Sequence, residues 1–180
     1  MCSFDVKSLS TNVPLQETFR ICLDALYRSD DIVPPNIEER ILEKLLIKCT
    51  KDVEFSFNGM MFKQHDGVAM GSPLGPVLAN IFVGYYESLI PDDQWPNLYC
   101  RYVADTFSLF CGGKAEALRF LDMLNSLHPS LVFTMETEDE GKLSFLDALV
   151  VRSTGKFSTT VYRKPTATGL YTRWDSFVDQ

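Results

Sequence analysis

The segment Arg101-Tyr102-Val103-Ala104-Asp105-Thr106-Phe107 is typical of a β-hairpin. Runs rich in apolar and aromatic residues on both sides of it predict two strands, Leu98 to Val103 and Thr106 to Phe110, paired as a hairpin. In this pairing Ala104 and Asp105 lie at the tip. The stretch therefore predicts a carboxylate at the end of a short antiparallel ladder.

Two earlier segments bear on the same site. Met1 to Val6 is typical of a strand that ends near Asp5. Gly67 to Pro76 has the sequence Gly-Val-Ala-Met-Gly-Ser-Pro-Leu-Gly-Pro, a turn that opens an apolar, buried helix running to about Glu87. Two carboxylates on neighbouring strand ends, beside a glycine turn, suit phosphoryl chemistry with a divalent metal, because Mg²⁺ takes one or two carboxylates plus substrate phosphates.

The remaining segments alternate between helical and extended patterns. Apolar residues at helical spacing predict amphipathic helices over residues 15–26, 37–49 and 115–127. The apolar stripe of the second helix is expected to contain Ile37, Ile41, Leu45 and Cys49. Strands are expected over residues 53–57, 60–64, 131–137, 143–151 and 156–162, the first two joined by a type I′ turn at Asn58-Gly59. The pattern predicts an α+β fold with mostly antiparallel strands.

Composition limits the function classes. The 180 residues, 46% of them hydrophobic, suit one globular domain with a core. The net charge of -7 argues against a free-standing nucleic-acid binder, because phosphate contacts need clustered Lys and Arg. The most apolar stretch, Val77 to Tyr86, has about half of the ~20 residues that span a bilayer, so no membrane segment is expected. Five cysteines without Cys-x-x-Cys spacing are expected to be reduced, buried thiols of an intracellular protein.

Three more segments complete a series of five ordered motifs. They are Ser3-Phe4-Asp5-Val6-Lys7-Ser8-Leu9, Leu143-Ser144-Phe145-Leu146-Asp147 and Thr160-Val161-Tyr162-Arg163-Lys164-Pro165-Thr166. With the Gly67 to Pro76 turn and the 101–107 stretch, they make the chain resemble the reverse transcriptases of Penelope-like retroelements over essentially its full length. The 101–107 stretch resembles the Tyr-x-Asp-Asp motif of that family.

The resemblance implies a right-hand polymerase palm, an antiparallel sheet backed by helices, that adds dNTPs to a DNA primer on an RNA template with Mg²⁺ or Mn²⁺. It implies a palm over residues 1–165 and the start of a thumb or connection over 166–180, with fingers and thumb largely absent. Asp5 and Asp105 would be catalytic metal ligands, with the Val6 carbonyl as a further oxygen. The nucleotide- and template-binding positions would be Val6, Ser10, Gly71, Ser72, Pro73, Tyr102 and Val103. A nuclear location is expected for the family.

The sequence departs from the family pattern at the hairpin, where Ala104 replaces the first of two aspartates. A methyl group cannot coordinate a metal, and losing a single hydrogen-bond donor to a transition state already costs about 10²–10³ in rate. We therefore expect an inactive or barely active polymerase. Ser10 is too small for the usual aromatic gate and is expected to cap the following helix. Ala167 replaces a common His. Ser10, Ala167 and the missing fingers and thumb together favour a decayed genomic copy over an engineered Asp-to-Ala knockout, an alternative that stays open.

Two readings from other functional classes stay open. A non-catalytic protein-binding or scaffold module could keep this fold and bind a partner on the apolar surface left exposed without fingers and thumb. An unrelated metal-dependent nuclease or phosphotransferase built on Asp5 and Asp105 is disfavoured by the order of the Gly-Ser-Pro turn, the helix and the hairpin.

Overall fold

The computed structural model describes residues 1–166. The chain divides into two compact units, Met1–Thr137 and Glu138–Gln180. The boundary expected at residue 165 between a palm and a thumb stays a prediction. Apart from Thr166, the expected thumb segment lies outside the described residues, and so does Ala167.

The first unit interleaves strands and helices, as the sequence pattern predicted. In chain order its elements are β1 (Cys2–Val6), α1 (Leu9–Asn12), α2 (Leu15–Tyr27), α3 (Glu39–Thr50), β2 (Val53–Phe57), β3 (Met60–Gln64), α4 (Gly75–Glu87), a 3-10 turn (Asp92–Gln94), β4 (Leu98–Tyr102), β5 (Asp105–Leu109), α5 (Gly113–Ser126) and β6 (Phe133–Thr137). Strands β4, β5, β1 and β6 form an antiparallel sheet in that spatial order, and β2 pairs with β3 in a separate hairpin. The α+β class is confirmed.

The core lies on one face of the four-stranded sheet. Along β1 the side chains of Cys2, Phe4 and Val6 are buried while Asp5 is exposed, the alternation expected when one face of a strand packs against a core. The Phe4 ring lies 5.7 Å from the Phe120 ring of α5. Other members of the core come from the helices: Leu15, Phe19, Leu78, Phe82 and Leu124. Burying each such side chain contributes about 1.5–3 kcal/mol, which holds the helices on this face.

The apolar stripe predicted for the helix over 37–49 is wrong. Ile41, Leu45 and Cys49 are exposed, whereas Thr50 is buried and Leu46 packs against the core. The sequence of α3 contains two apolar stripes one residue apart, and helical spacing alone cannot tell which of them a neighbouring helix will cover.

Helix α4 is buried on one side only, although its sequence is apolar almost all round. Leu78, Ala79, Phe82 and Val83 are buried, but Val77 is 52% exposed. Within residues 1–166 no helix is long and apolar enough to cross a membrane. The expected burial of the thiols is also wrong in part, because Cys49, Cys100 and Cys111 are exposed.

The described part of the second unit is an antiparallel sheet. Its strands are β7 (Lys142–Phe145), β8 (Ala148–Ser153) and β9 (Lys156–Val161), paired in that order. The single strand predicted over 143–151 is wrong, because the chain reverses at Leu146-Asp147 and pairs Phe145 with Ala148. Leu146 has a positive φ of 54°. Because a turn of this kind normally contains Gly or Asn, the residues Leu146-Asp147 did not predict a turn.

Candidate functional site

Asp5 and Asp105 are directly opposite each other on neighbouring antiparallel strands. The Val6 N–H donates to the Ala104 carbonyl at 3.1 Å. Since hydrogen-bonded and non-hydrogen-bonded pairs alternate along such a ladder, 5 and 105 form a non-hydrogen-bonded pair, the kind in which side chains approach most closely. Both side chains are exposed. The two carboxylates that the sequence predicted to be neighbours thus lie side by side on the exposed face of the sheet.

The charge around this pair is negative. The pKa of Asp5 is raised above its usual range, first by partial desolvation of its carboxyl group and then by the charges of Asp105 and Glu136, while Lys7 acts in the opposite direction. Glu136 lies on β6 opposite Ser3, one pleat from Asp5 on the same face. Within residues 1–166 no group of three or more His, Cys, Asp or Glu side chains is placed to hold a metal ion. The acidic centre is therefore a pair.

The hairpin tip differs from the prediction. The last cross-strand pair is Tyr102 with Asp105, so the connecting residues are Val103 and Ala104, and Asp105 belongs to the strand. Val103 has a φ of 55°, an unusual conformation for a β-branched residue. Both loop residues pack against the core, whereas Tyr102 is 63% exposed beside Asp105. The loop is therefore two residues long and sits one residue earlier than expected.

A partly buried polar network behind the hairpin was missed at the sequence level. The Arg101 Nε donates to both carboxylate oxygens of Glu87, at 2.8 and 2.9 Å, and the Tyr99 hydroxyl donates to one of them at 2.6 Å. The Arg101 Nη1 donates to the Asn80 side chain at 2.6 Å and to the Val103 carbonyl at 3.0 Å. A signal was present, since Glu87 is the one charged residue of the apolar α4 sequence.

The Gly67 to Pro76 segment is a tight, irregular connection into α4, as predicted. The Val68 N–H donates to the Ser10 carbonyl at 2.6 Å, which fixes the start of the segment on α1. Gly67 has a φ of 74°, and a Cβ there would lie 2.6 Å from the Thr11 carbonyl oxygen. Gly71 also has a positive φ, of 87°, but faces open space. The first glycine is thus required by contact and conformation together, the second by conformation.

Ser72 and Pro73 lie in the turn that leads into α4. The Ser72 N–H donates to the Ala69 carbonyl at 3.0 Å, and the Ser72 carbonyl accepts the Gly75 N–H at 2.9 Å. Pro73 is exposed. Their backbone contacts are local, so the structure brings Gly71, Ser72 and Pro73 together as one turn next to α4.

The helix-cap role expected for Ser10 is wrong. Ser10 lies inside α1, and α2 begins after Pro14 without a side-chain cap from the serine. The Leu15 N–H at the start of α2 donates instead to Asp66 Oδ1 at 3.2 Å, and the same oxygen accepts the Gly67 N–H at 2.9 Å. Asp66 is distant in sequence, which is why local spacing could not identify it.

Comparison with known proteins supports the fold and gives no match at the level of sequence. The sequence matches no protein-family model, and no curated protein matches it. Among solved structures, the chain is similar to an apo telomerase from Candida tropicalis truncated from its C-terminal domain, with a TM-score of 0.61 and 15% identity over 88% of this chain. The match covers 35% of the telomerase chain, so the described protein spans about a third of its length. At this identity the likeness shows a shared polymerase-like fold.

Proposed function

We propose that this chain is the palm of a reverse transcriptase of the Penelope-like kind whose catalytic hairpin lacks one metal ligand. The main support is the position of Asp5 directly opposite Asp105 on the exposed face of an antiparallel sheet. The fold shared with a telomerase supports a relation to nucleic-acid polymerases at a coarse level. The ordered motifs supply the finer assignment, with an RNA template, a DNA primer and dNTPs as partners and a nuclear location as a consequence.

The acidic pair fits a single divalent cation. Two like charges that face each other across a ladder destabilise it, and a cation between them would remove that repulsion. Asp5 and Asp105 would be the ligands, with the Val6 carbonyl as a further oxygen. When bound, Mg²⁺ or Mn²⁺ would stabilise negative charge on phosphate oxygens. The side chain of Ala104 offers no oxygen for a second ion.

Other residues would locate the nucleic acid around this pair. The exposed Tyr102 pairs with Asp105 across the hairpin, and Tyr102 and Val103 would pack near the primer terminus. The turn at Gly71, Ser72 and Pro73 would present backbone to the template and the nucleotide. Ser10, half-buried in α1, leaves the nucleotide sugar without an aromatic barrier. We therefore expect poor discrimination between dNTPs and rNTPs in any restored enzyme.

The decisive experiment restores the missing carboxylate. We would compare the parent chain with Ala104→Asp, using Ala104→Asn as the uncharged control of similar size, in calorimetric Mn²⁺ titrations and in primer extension with Mg²⁺ or Mn²⁺. The expected result is little or no extension by the parent, and tighter Mn²⁺ binding by Ala104→Asp than by the parent or by Ala104→Asn. Adding Asp5→Asn to Ala104→Asp should abolish the gain.

Two outcomes would contradict the proposal. Robust extension by the parent would overturn the claim that Ala104 inactivates the site. Failure of Ala104→Asp to bind Mn²⁺ more tightly than Ala104→Asn, in a folded protein, would overturn the claim that position 104 is the missing ligand position of a metal site built on Asp5 and Asp105.

A second candidate function is a non-catalytic protein-binding module. The β2–β3 hairpin has an unusually apolar exposed surface, with Phe57 69% and Met61 68% exposed. Phe55 and Phe62 face each other across the hairpin with stacked rings 5.6 Å apart. Exposed apolar patches of this kind are typical of interaction sites. Specific protein binding that is lost in a Phe57→Ser, Met61→Ser variant, by a chain whose Ala104→Asp form binds no metal, would favour this candidate.

A further inference from the structure

The Arg101 side chain connects three parts of the first unit. It forms an ion pair with Glu87 near the end of α4, with 13% and 12% of the two side chains exposed. It also bonds Asn80, almost two turns earlier on α4, and the Val103 carbonyl in the hairpin loop. The planar guanidinium fork can serve all these acceptors at once, whereas the single ammonium group of Lys cannot reproduce that geometry.

Stability alone is a weak reason for such an arrangement. Desolvation of a buried ion pair commonly cancels its Coulombic gain, so a well-packed apolar pair would stabilise the fold as well. What the ion pair supplies is a fixed orientation of the Arg101 guanidinium group. Glu87 and Asn80 hold the guanidinium in one orientation, and the group then places a donor at the Val103 carbonyl.

The loop that receives this donor has a strained backbone. A positive φ on a non-glycine residue costs about 1–3 kcal/mol and persists only where the surroundings enforce it. At Val103 the enforcing contacts come from two sides: Arg101 binds the Val103 carbonyl, and the Val6 N–H binds the Ala104 carbonyl. The contact between Val6 and Ala104 is directly next to the Asp5–Asp105 pair in the ladder.

We infer that Arg101 is a positioning residue: through Glu87 and Asn80 it fixes the Val103-Ala104 loop on α4 and so holds Asp105 opposite Asp5. Helix α4 also begins directly after the Gly71-Ser72-Pro73 turn. One rigid helix thereby sets the positions of both the carboxylate hairpin and the glycine turn. The geometric claim concerns the hairpin itself, and its importance for nucleotidyl transfer rests on the proposed function.

The first arm of the test measures the amide-exchange protection of the hairpin and needs no enzymatic activity. Native-state amide exchange would be compared for the Val6 N–H, which bonds the Ala104 carbonyl, and for the Leu78 N–H inside α4. Arg101→Lys should lower the protection of Val6 at least tenfold relative to Leu78. The matched control Arg28→Lys alters an exposed ion pair with Glu39 and should change neither amide.

A double-mutant cycle separates positioning from general support of the fold. Glycine adopts a φ of 55° without strain, so in a Val103→Gly background Arg101→Lys should have less than a third of its effect on Val6 protection. If Arg101→Lys lowers Val6 and Leu78 protection equally, or has the same effect in both backgrounds, the inference is wrong. If Arg101→Lys fails to fold, Asn80→Ala, which removes one partner of the guanidinium, takes its place in the cycle.

The second arm uses the Ala104→Asp chain. If that chain extends primers, adding Arg101→Lys should lower kcat at least tenfold and leave the KM for dNTP within about twofold. The reason is that Arg101 would affect the placement of the metal ligand Asp105 and not the binding of dNTP. Unchanged kcat would contradict the positioning role. If Ala104→Asp binds no metal, the proposed function fails while the exchange measurements still decide whether Arg101 positions the hairpin.

Discussion

The carboxylates of Asp5 and Asp105 extend from the same face of the sheet at a directly opposed, non-hydrogen-bonded pair of positions. Like charges so placed repel each other. The folded chain thus keeps an unfavourable interaction between two carboxylates at this place.

The repulsion predicts that Asp5→Asn stabilises the metal-free protein at pH 7. The folded state raises the pKa of Asp5, so the penalty on folding is absent below the ordinary pKa of aspartate and complete above the raised value. We expect a gain of about 0.3–1 kcal/mol at pH 7, modest because the groups are exposed, that disappears below about pH 4. Urea unfolding with a chelator at both pH values measures it.

An exposed aspartate far from the pair is the control for this prediction. Asp122→Asn on α5 should change the free energy of unfolding by less than about 0.5 kcal/mol at either pH. Destabilisation by Asp5→Asn at pH 7 would show that the carboxylates are not in repulsive contact.

Gly67 should tolerate no side chain. Gly67→Ala combines a positive φ with a Cβ only 2.6 Å from the Thr11 carbonyl oxygen, and backbone cannot move aside cheaply. We expect a loss of about 3 kcal/mol or more in unfolding free energy. Gly59→Ala is the matched control, because its φ of 75° is similar but nothing lies within 4 Å of the added Cβ. That variant should lose only about 1–2 kcal/mol, and equal losses would disprove the close approach.

Thr106 and Ser108 both have buried hydroxyl groups, and we expect opposite effects on stability when each hydroxyl is removed. Thr106 Oγ1 accepts the Phe4 N–H at 3.0 Å and donates to the Phe4 carbonyl at 3.2 Å. Ser108 Oγ, equally buried, has no hydrogen-bond partner within the described chain. Thr106→Val should therefore cost about 1–3 kcal/mol, whereas Ser108→Ala should be neutral or stabilising. Thermal unfolding of the two variants compares them, and a larger loss in Ser108→Ala would contradict the assignment.

The two hairpins were more predictable than the contacts between segments that are distant in sequence. Asn58-Gly59 and the 101–107 stretch have strong local signals, and their hairpins form in the structure. Local spacing could not pair residues that are distant in sequence: the contacts of Asp66 at the start of α2 and of Glu87 with Arg101 depend on how α2, α4 and β4 pack. The loop shift to Val103-Ala104 has the same origin, because tertiary contacts hold a backbone conformation that valine does not prefer by itself.

Tyr99 provides a separate test of the network behind the hairpin. Burial, the nearby charge of Glu87 and the hydrogen bond to it raise the pKa of Tyr99 well above its usual range, with Arg101 opposing them. Tyr99→Phe removes a donor from a buried carboxylate and should cost about 1–3 kcal/mol at pH 7. Because a raised pKa in the folded state favours folding only while the phenol is protonated, this loss should shrink as the pH rises above about 10.

The phenolate absorbance distinguishes this effect from a simple packing defect. Tyr99 should not ionise before the protein unfolds, so Tyr99→Phe should leave the amplitude of the native-state alkaline titration unchanged. Tyr86→Phe is the comparison, since burial and the bond to Glu17 raise the pKa of Tyr86 to about 12, within reach of the titration. Its replacement should remove a late-titrating component. Loss of amplitude in Tyr99→Phe below pH 11 would mean that the hydroxyl is accessible and that Glu87 is not held as the structure has it.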